Sequence, residues 1–132
     1  FIHSEISAGR TLQAEKLENY WLDSNKRYYG EALTVDKELA SEWSRIPHFY
    51  TPFYVYKYAT GYSAATAFAA SILNGEEGAV EKYLGFLHAG GSDYSLNILK
   101  NAGVDLNTPQ PVTVTLQKFA EKVAELKKLL GK

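Results

Sequence analysis

The segment from Ile46 to Gly61, IPHFYTPFYVYKYATG, holds side chains that could do chemistry, because it brings an imidazole close to several phenols. Four tyrosines fall within nine positions of it: Tyr50, Tyr54, Tyr56 and Tyr58. A buried phenol needs a partner for its O–H, so an ordinary core helix rarely holds so many. At pH 7 a phenol stays protonated and can donate a hydrogen bond to a carbonyl or an oxyanion. The cluster therefore favours a polar ligand.

The imidazole of this segment belongs to His48, which follows Pro47 in a connection and not on a regular apolar face. Functional residues concentrate on connections that rigid elements flank. The alternative is a structural histidine that packs on Trp43 and bonds a backbone carbonyl, and the spacing favours neither over the other. For any single tyrosine, the simpler interpretation is a half-buried ring with its hydroxyl in solvent. The segment is a candidate site because of the cluster as a whole.

The histidines and carboxylates do not form a metal-binding motif. The chain has no cysteine and three histidines, and the H-E-x-x-H pattern of a zinc peptidase is absent. Glu5 follows His3 closely, but no second histidine lies within a turn of it. His88 falls near the negative end of a predicted helix, where a histidine is favourable in any protein. We interpret His3 and His88 as structural residues and predict no metal site in this chain.

Composition excludes two classes of partner. The formal net charge is −1 and the charges are mixed along the sequence, so a nucleic-acid partner is not expected. No apolar run approaches the ~20 residues of a membrane span, and no signal segment opens the chain. The 132 residues suit a single domain, 1–132. The chain lacks methionine and begins FIHSEISAG, which is typical of the middle of a helix, so we expect a piece of a longer protein.

Helical spacing of apolar residues recurs from end to end and predicts an all-α fold, an irregular multi-helix bundle of about six or seven helices. Thr11 is the expected cap of one helix and Gly30 its end. Thr51-Pro52 has the pattern of a helix start, which predicts a helix from there to about Leu73. Such a helix would carry Tyr54 and Tyr58 on one face.

The remaining helices follow from caps and spacing. Thr34 or Asp36 is expected to open a short helix that ends before Pro47. Ser92 is the expected cap of another, and a last amphipathic helix runs towards Leu130. The β-branched residues from Val112 to Thr115 could instead form a brief extended piece.

Two stretches carry a family resemblance. IPHFYTPFYVYKYATGYSAA, followed by GGSDYSLNILKNAGVDLNTPQPV, resembles the C-terminal part of oligoendopeptidase F, a bacterial zinc peptidase related to thimet oligopeptidase. The resemblance covers almost the whole chain. It implies the C-terminal subdomain of a helical zinc peptidase whose H-E-x-x-H helix and further glutamate bind zinc upstream of this chain. It also implies a cytoplasmic enzyme that cleaves short peptides.

The resemblance further implies roles for individual residues. The resemblance implies that a histidine and a tyrosine face the zinc across the cleft, where they bind the peptide and stabilise the oxyanion. His48 matches that histidine and Tyr56 is our choice for the transition-state donor, so these two are the candidate catalytic residues. Tyr50 is expected to be a second substrate contact and Tyr54 a weaker one, and Tyr58 is a further candidate substrate-binding residue. Thimet-type relatives have a longer separation between these two groups than His48 and Tyr56, so Tyr58 remains a candidate for the same role.

These implications lead to expectations about the isolated chain. Without the upstream zinc ligands it should bind no zinc and hydrolyse nothing. Its partners would be short peptides and the missing N-terminal part of the same polypeptide, and it could self-associate through an apolar face around Phe53, Tyr56 and the first helix. The competing hypothesis is a non-catalytic helical module whose aromatic groove binds a peptide or another ligand.

Overall fold

The computed structural model describes residues 1–131. Within them all regular structure is helical, with six α-helices, two 3₁₀ helices and no strand, which confirms the all-α prediction. The chain divides into two compact units, one from Phe1 to Tyr54 and the other from Val55 onward. No helix in this described part is both long and apolar enough to cross a membrane.

The first unit contains two α-helices, α1 (Ile2–Ser7) and α2 (Ala14–Tyr29), followed by 3₁₀ helices at Lys37–Arg45 and Pro47–Tyr50. Helix α2 packs against the first 3₁₀ helix, which in turn contacts the second. The prediction that Thr11 caps α2 is wrong. The backbone N–H groups of Lys16 and Leu17 both donate to the carbonyl of Gln13, which makes Gln13 the cap residue.

A buried carboxylate ties α1 to the start of α2. Glu5 is 8% exposed and accepts two hydrogen bonds from the Arg10 guanidinium, at 3.0 and 2.7 Å. The Lys16 ammonium also donates to this carboxylate. Because both cations favour the charged form, they lower the pKa of Glu5 from 4.5 to about 2. The carboxylate is thus held ionised by neighbours within its own unit.

The second unit contains four helices: α3 (Tyr56–Leu73), α4 (Ala79–Ala89), α5 (Ser95–Asn101) and α6 (Gln110–Leu129). Helix α3 packs against α4 and α6, and α4 packs against α5. The core is small side chains around one large ring, and it consists of Ala64, Ala67, Phe68, Ala102 and Val104. Phe68 contacts Tyr83 and Phe86, each at 5.3 Å between ring centroids. The alanines of α3 let neighbouring helices approach closely.

The predicted start of α3 at Thr51-Pro52 is wrong, since the helix begins at Tyr56. Phe53 has a φ of 53°, in the left-handed region that a bulky residue rarely adopts, so the backbone turns there and no helix can pass through it. Tyr54 therefore lies before α3. The prediction that Tyr54 and Tyr58 share one face of this helix is wrong. The predicted end near Leu73 is confirmed.

Three other predicted boundaries also change. The helix expected from Thr34 or Asp36 is a 3₁₀ helix that begins at Lys37. Helix α5 begins at Ser95 and not after Ser92, because the Asp93 carboxylate accepts the Tyr94 N–H at 2.6 Å and holds the chain in a turn. The alternative of an extended piece at 112–115 is wrong. Those residues are helical, and the Thr113 and Thr115 hydroxyls donate to carbonyls one turn back, at 3.1 and 2.9 Å.

Candidate functional site

The backbone that carries His48 is a single 3₁₀ turn, Pro47–Tyr50. Pro47 occupies its first position, where the fixed φ of proline suits a helical turn and no N–H is needed. The Phe49 N–H donates to the Ile46 carbonyl at 3.1 Å, and the Thr51 N–H donates to the His48 carbonyl at 3.3 Å. The His48 side chain is exposed, and its ring stacks on Tyr54 with 5.5 Å between centroids and 22° between planes. A short, proline-started turn thus presents the imidazole at the surface of the first unit.

The neighbouring residue Phe49 anchors this turn. Its ring meets the edge of Trp21 on α2 at 5.6 Å between centroids and an interplanar angle of 80°. Edge-to-face aromatic contacts of this kind stabilise a structure by about 0.5–1.5 kcal/mol beyond the area they bury. The alternation of His48 outward and Phe49 inward fixes the turn on α2.

Tyr50 is exposed, but its hydroxyl is already engaged. The O–H donates to the Ser44 carbonyl at 2.6 Å. A phenol has one proton to donate and keeps lone pairs that can accept. In this conformation Tyr50 is therefore suited to accept a hydrogen bond from a ligand N–H, and could donate to a ligand only by releasing Ser44.

The strained residue Phe53 lies between the predicted site residues. The sequence did not indicate its left-handed backbone, because Thr51-Pro52 has the pattern of a helix start. Its ring stacks on His3 with 4.5 Å between centroids and 11° between planes. Phe53 and Tyr54, adjacent in sequence, thus each stack on a histidine of the first unit. Backbone strain of this type clusters at ligand-binding segments. The two stacked pairs hold the turn in place.

Tyr56 and Tyr58 lie in the second unit, in the first turn of α3. Both rings are more than half exposed, 58% and 57% respectively. Successive residues of an α-helix are rotated by about 100° around its axis, so the side chains of residues two positions apart leave the helix in directions about 200° apart. Their side chains therefore leave α3 on nearly opposite sides. The first turn of a helix also carries the positive end of its dipole, which favours developing negative charge.

The structure thus distributes the predicted residues over both units. His48 and Tyr54 are in ring contact, and Tyr50 bonds the same segment through Ser44, all in the first unit. The second unit also contains a groove of about 360 Å³, and none of the five predicted residues lines it. Helices α3, α4 and α6 and the segment that follows α5 contribute to its walls, which include Phe68, Lys82, Val114, Lys118 and Glu121.

A zinc ion needs three or more protein ligands drawn here from His, Asp and Glu, since the chain has no cysteine. Among residues 1–131 no three such side chains converge. Glu5, the most buried carboxylate of the first unit, is taken up by Arg10 and Lys16. The residues that the structure describes therefore do not fit a zinc site.

Comparison with known proteins places these residues in a family. The sequence profile described as "Peptidase family M3" matches residues 1–118. Oligopeptidase PepF of Bacillus subtilis (strain 168) is 47% identical over 131 residues, which are 99% of this chain and 20% of that protein. Group B oligopeptidase PepB of Streptococcus agalactiae is 40% identical over 131 residues, 99% of this chain and 22% of that protein.

Solved structures agree with the sequence matches. The crystal structure of oligoendopeptidase-F from Enterococcus faecium superposes with a TM-score of 0.94 at 43% identity, covering 99% of this chain and 25% of that one. A putative peptidase from Chlamydophila abortus gives a TM-score of 0.87, also at 43% identity, and covers 97% of this chain and 22% of that one. The chain spans about a fifth to a quarter of the length of these relatives. It belongs to peptidase family M3.

Proposed function

We propose that this chain is the C-terminal part of a larger family M3 catalytic domain, which hydrolyses internal peptide bonds of short peptides in the cytoplasm. The observation that carries the proposal is an exposed His/Tyr segment within a match to the family that extends over residues 1–118. The similar proteins named above are oligopeptidases. In this proposal zinc is bound by residues outside this chain, and residues 1–132 supply groups that bind the peptide and stabilise the transition state.

Tyr56 is the proposed transition-state donor. Its O–H would donate to the scissile carbonyl oxygen as that oxygen becomes negative, which is where a fixed donor lowers the barrier most. Two features support this choice: the ring is exposed, and it leaves the first turn of α3, where the helix dipole favours negative charge. Tyr58 is the alternative, and the angle of about 200° between the two positions means that only one of them can serve a given carbonyl.

His48, Tyr50 and Tyr54 are the proposed peptide-binding groups of the first unit. His48 would hydrogen-bond the substrate through its exposed imidazole. Tyr54, stacked on that ring, would keep it oriented. Tyr50 would accept a hydrogen bond from an N–H of the peptide, because its own O–H already donates to the Ser44 carbonyl.

The isolated 132-residue chain should be inactive, because the proposed zinc ligands lie outside it. The test compares the purified chain with the longer polypeptide that carries it, using an internally quenched fluorescent peptide with and without a chelator. We expect chelator-sensitive cleavage by the longer polypeptide and none by the chain alone. Chelator-sensitive cleavage by the chain alone, after contaminating peptidases are excluded, would refute this assignment.

A second candidate function is binding without catalysis. Exposed aromatic side chains suit stacking on a peptide, and Tyr50 and Phe53 are 67% and 69% exposed. Such a surface would also allow the isolated chain to self-associate. The two functions differ in one result: a longer polypeptide that binds the quenched peptide and never cleaves it is a binding module.

A further inference from the structure

Helix α6 carries apolar residues at alternating separations of four and three positions, continuing to its C-cap residue: Val112, Leu116, Phe119, Val123, Leu126 and Leu130. We call this row the α6 seam. A mean separation of 3.5 residues is the repeat of helices that pack along their length, each side chain entering a hole on the partner helix. The seam spans about 27 Å at 1.5 Å per residue, which suits a partner helix and not a single loop.

The seam is largely exposed. Leu116 and Phe119 are 63% and 67% exposed, Leu126 is 56% exposed and Leu130 60%. Val123 is the half-buried member of the row. Scattered exposed apolar side chains are normal, but a continuous row along five turns indicates an interaction surface.

The core of the second unit uses a different face of the same helix. Pro111 is fully buried, and Val114 and Lys118 line the groove that α6 shares with Phe68 of α3. At about 100° per residue, Val114 and Lys118 lie roughly 120° to 160° around the helix from the middle of the seam. Helix α6 thus packs on its own unit with one face and leaves most of the seam exposed.

Charges beside the seam indicate what kind of helix it receives. Lys122 and Lys127 flank the seam on its two sides, while Glu121 and Glu125 lie far around the helix. Lys122 also pairs with Glu125 of its own helix, at 2.8 Å. In a parallel pair of copies, Lys122 of one would meet Lys127 of the other and repel it. A partner helix with acidic flanking residues fits better than a second copy.

We propose that the α6 seam is the docking site for an amphipathic helix with acidic flanks, contributed by the part of the longer polypeptide that this chain does not span. The inference rests on the proposed function, in which the chain acts as one part of a larger M3 domain. The relatives are four to five times as long as the stretch they share with this chain, which covers 20% to 25% of them. The additional polypeptide thus has ample length to supply the helix.

The chain has no cysteine, so single thiols can report the accessibility of each face. Leu116→Cys and Leu126→Cys place a thiol at two separate points of the seam. Lys128→Cys, exposed on the opposite face of α6, is the matched control. Each variant is made in the 132-residue chain and in the longer polypeptide. The rate of maleimide labelling is measured by mass spectrometry of the peptide that contains the substituted position.

We expect labelling at 116 and 126 to be at least about tenfold slower in the longer polypeptide than in the chain, since a buried thiol reacts only when the structure opens locally. Labelling at 128 should be equal in both. If position 116 and position 126 were each labelled as fast in the longer polypeptide as in the 132-residue chain, the proposal would be overturned. Protection already present in the 132-residue chain, with a dimer in light scattering that Leu116→Glu dissolves, would also overturn it, because the occupant would be a second copy. An inactive longer polypeptide would refute the proposed function without affecting these rates.

Discussion

Replacing Tyr56 by Phe in the longer polypeptide removes one hydroxyl and leaves the ring in place. If that hydroxyl donates to the carbonyl oxygen in the transition state, kcat should fall by about 10² to 10³, or about 2.7–4 kcal/mol in activation free energy. KM should change little, because the interaction is made mainly in the transition state. This is the sharpest test of a residue role in the proposed site.

The structure separates this effect from a loss of stability. Tyr56 is 58% exposed, so loss of its hydroxyl opens no cavity. The Tyr56 carbonyl, which accepts the Thr60 hydroxyl at 3.3 Å, is untouched by a change at the ring. An exposed substitution of this type changes the free energy of unfolding by about 0.5 kcal/mol or less. A fall in kcat at unchanged stability is therefore a loss of catalysis.

Matched variants give the comparison its meaning. Tyr62→Phe, 69% exposed and also on α3, removes a phenol outside the proposed site and should leave kcat unchanged. Tyr50→Phe loses the bond to Ser44 and should cost about 0.5–1.5 kcal/mol of stability with a smaller effect on kcat. His48→Gln keeps a polar side chain without the imidazole and should raise KM.

The assay is steady-state hydrolysis of an internally quenched fluorescent peptide, with zinc content and urea unfolding measured on each variant. Turnover of Tyr56→Phe within threefold of the parent would refute the assignment of this residue. If Tyr58→Phe then showed the large loss, the donor would be the phenol on the other side of α3. If neither variant lost turnover, neither phenol in the first turn of α3 would be the transition-state donor.

Two predictions concern stability. The folded-state pKa of Glu5 is about 2, below its ordinary 4.5, so its contribution to the free energy of unfolding is full above pH 4.5 and is lost as the pH falls towards 2. Measured by urea unfolding, the stabilities of the chain and of Glu5→Gln should differ near pH 6 and converge near pH 2. A difference that stays constant with pH would contradict this prediction. Phe68→Ala should lower the free energy of unfolding by about 3–5 kcal/mol, because Phe68 is buried against Tyr83 and Phe86. Leu73→Ala, at 85% exposure on the same helix, should change it by less than about 0.5 kcal/mol, and a similar loss for both variants would place the core elsewhere.

Much of the helical content was predictable from local signals, because glycine stops and apolar spacing act over one or two turns. Gly30 ends α2 as expected, since it adopts a φ of 73° that other residues avoid. The end of α3 at Leu73 was predictable for a similar reason: Asn74-Gly75 follows, and Gly75 has a φ of 70°. These signals depend on residues adjacent in sequence.

The candidate segment was likewise recognisable by residue type. A histidine and several phenols in one connection indicate a polar ligand by residue type alone, and the family resemblance implies a role for each of them. The start of α3 was not predictable, because Thr51-Pro52 is a valid helix start and only the backbone at Phe53 prevents it. That left-handed residue is stacked on His3, which lies fifty positions away in the sequence.

What the sequence determined by itself was the helical class, the family and the residue types of the candidate segment, since each depends on short-range pattern. Tertiary structure alone decided which groups are engaged. In the folded chain the Tyr50 hydroxyl donates a hydrogen bond to the Ser44 carbonyl and Tyr54 stacks on His48. Tyr54 also lies outside the helix that begins at Tyr56. Tertiary structure also decided which face of α6 the core uses and which remains open. Tyr50 and Ser44 lie six positions apart, as do Tyr54 and His48, and these pairs meet only because of how the backbone turns between them. Which face of α6 the core uses depends on packing against α3, which is distant in the sequence.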